Sequence, residues 1–159
     1  MKIVDEFNYR NAKEILAKAY PQILEEIYSI LNDEKHVIDL SITVSQRKLS
    51  RQIQGWFANS GWKMEQSCFS IASLKYDLLK GNIPIEIEIG HKRLVYADFF
   101  EFMADYSKCH IPLGIMIVAG DSKKFGHIWH NSMSSTMSKI ESIKESFLVP
   151  VLIIAVDPA

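Results

Sequence analysis

Residues 75–95 read KYDLLKGNIPIEIEIGHKRLV, and the reading of this stretch decides the fold. From Ile83 the chain alternates strictly through Pro84, Ile85, Glu86, Ile87, Glu88 and Ile89, the pattern of a strand with one apolar face. Lys80-Gly81-Asn82 interrupts it, and the β-prone run MEQSCFSIASLKYDLL precedes the interruption. A hairpin is predicted. With Gly81 first in a two-residue type II′ turn, Lys80 pairs with Ile83 and Asp77 falls opposite Glu86. Lys75 then falls opposite Glu88.

That register gathers acids. Glu86 and Glu88 project from the same face, about 7 Å apart along the strand. Asp77 and Glu86, directly opposed, stand about 5 Å apart. Like charges so close raise each other's pKa unless a cation lies between them. Hard oxygen donors in this number suit Mg²⁺, which binds through one or two carboxylates together with water and substrate phosphate. The plainer alternative is a wet strand face carrying a Lys75–Glu88 ion pair, and a one-residue slip would send Asp77 to the other face.

Outward from the hairpin, helical periodicity covers about Tyr9–Leu31, with Pro21 expected to kink or split it. Val37–Val44 reads as a short strand and Leu49–Asn59 as a helix, with Ser45 a possible cap and Gly61 a stop. After the hairpin come a helix near Tyr96–Lys108, the strand Ile111–Ala119, a helix over Ile128–Ser146 and the strand Val149–Val156. This order implies crossovers between parallel strands. The expected fold is α/β (α+β): a central mixed sheet flanked by helices, in one domain over residues 1–159.

Composition sets bounds on function. The chain has 159 residues, 48% hydrophobic and 23% charged, which suits a single core. MKIVDEFNYR lacks the apolar centre of a secretory signal, and no stretch is long enough to span a bilayer, so a cytoplasmic protein is expected. Cys68 and Cys109 do not make a disulfide framework. A net charge of −1 gives no overall pull toward nucleic acid, but Arg47, Lys48 and Arg51 cluster, as do Lys92 with Arg93 and Lys123 with Lys124. Cys109, His110, His127 and His130 lack the paired spacing of a zinc site. GDSKKFG lacks the ending of a phosphate loop, and the aromatics Tyr96, Phe99, Phe100, Phe102 and Tyr106 suit helix packing.

Asp-x8-Glu-x-Glu across a hairpin, followed by a helix and an apolar strand, resembles the PD-(D/E)xK nuclease superfamily, and within it the BglII/BamHI-type restriction endonucleases. DEFNYRNAKEIL with ILEEIYSIL, YDLLKGNIPIEIEIG, and ADFFEFMADYSKCHIPLGIMIVAG carry the likeness over most of the chain. The resemblance implies a restriction-endonuclease-like core and a Mg²⁺-dependent type II endonuclease, a homodimer acting on double-stranded DNA. It makes Asp77, Glu86 and Glu88 the catalytic set. Asp77, Glu86 and the backbone carbonyl of Ile87 would hold the metal. Glu88 stands where the superfamily usually has Lys, a departure the BamHI type shares. Lys92, Arg93, Lys123, Lys124 and Asn131 are weaker expectations for DNA contact. Members of this type are typically longer, whereas this chain stops at AVDPA, as a minimal nuclease, a truncated relative or a protein with a preserved site and weak specificity would. The rivals are a DNA-binding or assembly module that keeps the fold without cleaving, and a nuclease of the DNA-repair kind.

Overall fold

The computed structural model describes residues 1–40, 46–90, 92–126 and 130–159. Six strands form one sheet: β1 (Lys2–Tyr9), β2 (Lys63–Ser67), β3 (Lys75–Lys80), β4 (Ile83–Ile87), β5 (Gly114–Ala119) and β6 (Val151–Asp157). Their order is β1-β6-β5-β4-β3-β2, so β5 and β4 lie at the centre and β6 is flanked by β5 and the edge strand β1. β4, β5 and β6 run parallel, and antiparallel pairs close both sides. The helices are α1 (Ala12–Ala19), α2 (Pro21–Leu31), α3 (Gln46–Ala58), α4 (Val95–Ser107) and α5 (Met133–Ile143).

Alternation in the central strands feeds two cores. Ile115, Ile117, Leu152 and Ile154 pack toward α1, α2 and α3, among Leu16, Ile27, Ile53 and Phe57. Met116, Val118, Ile153 and Ala155 pack on the other face, among Phe99 and Phe102 of α4 and Met133 and Ile140 of α5. With both faces covered, a central strand must be apolar throughout. Every residue of β5 and β6 is buried accordingly.

Several expectations shift. The helix expected over Tyr9–Leu31 is two helices meeting at Tyr20, with Pro21 at the start of the second, where its missing N–H costs nothing. Lys2–Tyr9 is an edge strand that its own pattern hides: a register break between Ile3 and Asp5 spoils the alternation. The strand expected at Val37–Val44 has no regular structure at residues 37–40; its remainder and the Ser45 cap lie outside the described residues. α5 starts at Met133, while Ile128 lies outside the described residues. α3 stops just before Gly61, whose φ of 85° suits the expected terminator.

Candidate active site

The hairpin turn is as expected: Gly81 takes φ 61°, Asn82 does not turn positive, and Lys80 pairs with Ile83. The β3–β4 ladder continues through Leu79 with Pro84 and Leu78 with Ile85, then stops. One step further, side chains take over from the backbone. The Asp77 N–H donates to Glu86 Oε2 at 3.3 Å, and the Ile87 N–H donates to Asp77 Oδ2 at 2.8 Å. The structure therefore brings Asp77 and Glu86 together where the register count puts them.

The surroundings differ from a wet strand face. Glu86 is 5% exposed and Glu88 9% exposed. Ile85, Ile87 and Ile89 enter one core, as expected, but the opposite face is closed as well, with the acids Asp98 and Glu101 of α4 near Glu86. Lys75 pairs with Ser67 of β2, and no Lys75–Glu88 ion pair exists among the described residues. Glu88 lies just past β4, where its N–H donates to the Ile117 carbonyl at 2.9 Å.

Burial governs the electrostatics. Burial pushes Asp77 up to about 6, against a hydrogen bond from the Ile87 N–H. Burial, then the Asp77 charge, pushes Glu88 up to about 8. Glu86 is raised well above the ordinary carboxylate value, first by burial and then by Asp98, Asp77 and Glu101. Its Oε1 has no hydrogen-bond partner.

Sequence reading missed three participants, although it set Gln54, with Trp56 and Asn59, near a helix that could approach DNA. Gln54 of α3, 1% exposed, donates from Nε2 to Asp77 Oδ1 at 2.8 Å. Asp98 and Glu101 crowd Glu86 from α4. Their signals were present: Gln54 lies on a polar stripe with Arg47, Ser50 and Arg51, and Asp98, Glu101 and Asp105 recur at i, i+3 and i+7. Asp77, Ile87, Glu88, Gln54, Arg47 and Arg51 line one open cavity of about 260 Å³.

The residues expected on DNA divide. Asn131 is corrected: it is fully buried, and its Nδ2 donates to the Glu88 carbonyl at 3.1 Å and to Thr136 Oγ1 at 2.8 Å. It holds the end of the active strand in place instead of reaching a ligand. Lys124 is bound to the buried Asp157 carboxylate at 2.6 Å. Arg93 and Lys123 are exposed, and Lys92 is half-buried near Lys139. For zinc, His127 lies outside the described residues, and Cys109 and His110 are exposed.

The donor set can be tested against a divalent ion. Among the described residues, no three His, Cys, Asp or Glu side chains converge on one point. An ion here would take one or two carboxylates and complete its shell with backbone oxygen, water and phosphate, the habit of Mg²⁺. A buried carboxylate with an oxygen lacking any donor, beside two more held above their ordinary pKa, fits that demand.

Comparison with known proteins points the same way. Among curated proteins, none matches. Among solved structures, restriction endonuclease BglII in complex with a DNA 16-mer superposes with a TM-score of 0.74 at 17% identity, covering 98% of this chain and 76% of that one. The family described as restriction endonuclease BglII/BglIII matches residues 4–156. Enzymes of this family generally use divalent metal ions. The chain belongs to the BglII/BglIII family of restriction endonucleases and is a type II site-specific deoxyribonuclease.

Proposed function

We propose that Asp77, Glu86 and Glu88 are the catalytic residues with which this enzyme hydrolyses phosphodiester bonds in double-stranded DNA, with Mg²⁺ as the cofactor. One observation carries the reading: Asp77 and Glu86 touch across the open end of a hairpin with Glu88 two residues on, Glu86 and Glu88 buried and Asp77 half-buried, without a lysine or arginine paired to any of them among the described residues. Buried charge left uncompensated in the protein is compensated by what binds there.

Asp77 and Glu86 would hold the ion, with the Ile87 carbonyl as a further oxygen. A divalent ion at this place supplies Lewis acidity, neutralising charge on the phosphate and making water a better nucleophile. Gln54 and the Ile87 N–H fix the Asp77 carboxylate from opposite sides, so its orientation does not depend on substrate. Glu88, which lines the cavity, is placed to accept the proton of an attacking water. A carboxylate that burial holds near 8 is, once ionised, a stronger base than a solvated one. Asn131 anchors the Glu88 backbone, which keeps that carboxylate at a fixed distance from Asp77.

Exposed Tyr96 and Phe100 of α4, with Met137 of α5, favour a homodimer, as two cuts in a palindrome require. We place the enzyme in the cytoplasm as a single domain over residues 1–159; no helix among the described residues is long and apolar enough to cross a membrane.

Incubation of the purified protein with plasmid DNA in Mg²⁺, and in EDTA, tests the reading. Discrete fragments that appear only with Mg²⁺ and vanish in Asp77→Ala and Glu86→Ala are expected. A smear would point to a nonspecific nuclease. Intact DNA with a mobility shift would leave a binding module.

A further inference from the structure

α3 turns two different faces to its surroundings. Leu49, Ile53 and Phe57 are fully buried in the core. Arg47, Ser50, Arg51 and Gln54 form the neighbouring stripe, at i, i+3, i+4 and i+7, and all four line the cavity that also holds Asp77 and Glu88. Side chains four apart on a helix have Cβ atoms about 5–6 Å apart, so the two guanidinium groups work side by side.

Two arginines beside three carboxylates, Glu65, Asp77 and Glu88, would ordinarily pair with them. Here neither Arg47 nor Arg51 forms an ion pair among the described residues, and both are exposed at the cavity mouth. Lys48, also exposed, does not line the cavity. Deeper in, Gln54 is 1% exposed and its Oε1 has no partner, so the wall carries an unmet polar group as well as unmet charge. The cavity thus has an acidic floor that calls for a cation and a basic rim that calls for an anion. A planar guanidinium fork matches phosphate oxygens in pairs, which a lysine ammonium does not.

We propose that Arg47 and Arg51 form a phosphate clamp that grips the phosphodiester backbone of the bound DNA strand at the mouth of the cavity, opposite Asp77 and Glu88. This deepens the nuclease reading and rests on it for the identity of the strand. The clamp holds backbone and not bases, so it adds affinity and register without sequence preference.

Binding of the full chain to fluorescein-labelled duplexes of differing sequence, without divalent metal and over a range of salt, tests the clamp apart from cleavage. Each phosphate contact removed lowers the slope of log K against log salt by about 1. Arg47→Ala and Arg51→Ala are each expected to show that drop and to weaken binding several-fold on every duplex. Arg51→Lys should keep the slope but slow single-turnover cleavage, because the charge stays and the fork is lost. Lys48→Ala should leave cleavage unchanged. Unchanged slopes in both alanine variants, or a Lys48→Ala defect as large as theirs, would overturn the clamp. Salt-dependent binding that needs both arginines, in a protein that leaves plasmid uncut in Mg²⁺, would uphold the clamp and overturn the nuclease reading of the acids.

Discussion

Asp105 and Asp77 are both aspartates turned into the protein, and they are treated in opposite ways. Asp105 is fully buried and accepts hydrogen bonds from the Phe69 N–H, the Ser70 N–H and the Tyr76 hydroxyl. Burial opposes its ionisation, yet these donors hold it below the ordinary aspartate value. Asp77 accepts from Gln54 and Ile87 but faces Glu86 and Glu88, and burial wins, raising it to about 6. Asp157 belongs with Asp105: it is buried, but Lys124 and the Asp121 N–H satisfy it. One kind of buried carboxylate is finished by the fold, and the other waits for something the fold does not contain. On the proposed reading, that difference separates an architectural acid from a catalytic one.

The sharpest way to break the comparison is to remove one acid of each kind. Asp77→Ala and Glu86→Ala are expected to lower cleavage by about four orders of magnitude or more, since ion binding and phosphate placement fail together. Glu86→Ala should not lower folding stability without metal, because burial already opposes its ionisation, and Asp77→Ala should cost no more than about 1–3 kcal/mol for the Gln54 and Ile87 donors it leaves unpaired. Single-turnover cleavage and denaturant unfolding of the same preparations measure both effects. A metal-free Asp77→Ala protein several kcal/mol less stable than wild type would make Asp77 another Asp105.

Glu88→Gln keeps the shape and removes the proposed base. Cleavage should fall by about 10²–10⁴-fold at saturating Mg²⁺, with duplex binding retained. The rising limb of the pH–rate profile should disappear in the variant. A profile that keeps this limb would assign the base elsewhere.

Asp105→Ala should reverse the pattern. It strands two backbone N–H groups and the Tyr76 hydroxyl in the interior, at a cost of about 3 kcal/mol or more. Unfolding in urea should register that loss, while the folded fraction, measured per active molecule at low temperature, should still cut DNA. Cleavage abolished in fully folded Asp105→Ala would merge the two classes.

How much of this contrast the sequence could carry depends on distance along the chain. The hairpin is local: Gly81 fixes the turn, Ile83 to Ile89 fix the alternation, and the pairing of Asp77 with Glu86 follows by counting. The burial of Glu86 and Glu88 is not local. It arises because β4 lies inside the sheet beside β5 and is covered from both sides, so its second face reads as polar in sequence and is closed in space. The same limit hid Gln54, which reaches Asp77 across 23 positions, and Asn131, which looked like a surface amide and holds the Glu88 carbonyl across 43. β1 escaped for a different reason: an edge strand with a register break has neither a clean period nor a continuous buried face. His127 to Trp129 lie outside the described residues, so the expectations placed there are untouched.

The smallest effect is the most telling about the empty-handed acids, because it needs no substrate. Asp77 and Glu88 titrate near 6 and 8 in the folded protein, against ordinary values of 3.8 and 4.5. Between about pH 4 and 8 the folded state therefore holds more protons than the unfolded one, and stability must fall as pH rises across that window. Each unit of displacement is worth about 1.4 kcal/mol, so a loss of the order of a few kcal/mol is expected between pH 5 and 8.5 in EDTA. Mg²⁺ replaces those protons and should restore stability at pH 8.5 far more than at pH 5. Asp77→Asn with Glu88→Gln should make the metal-free profile shallower, leaving the share that Glu86, Asp98 and Glu101 contribute, and abolish the Mg²⁺ response. Asp105→Asn should do neither, since a lowered pKa gives stability that is lost only as pH falls through the acid range. If denaturation in EDTA proves equally stable at both pH values, or Mg²⁺ stabilises the double variant as it does wild type, Asp77 and Glu88 are not waiting for a cation.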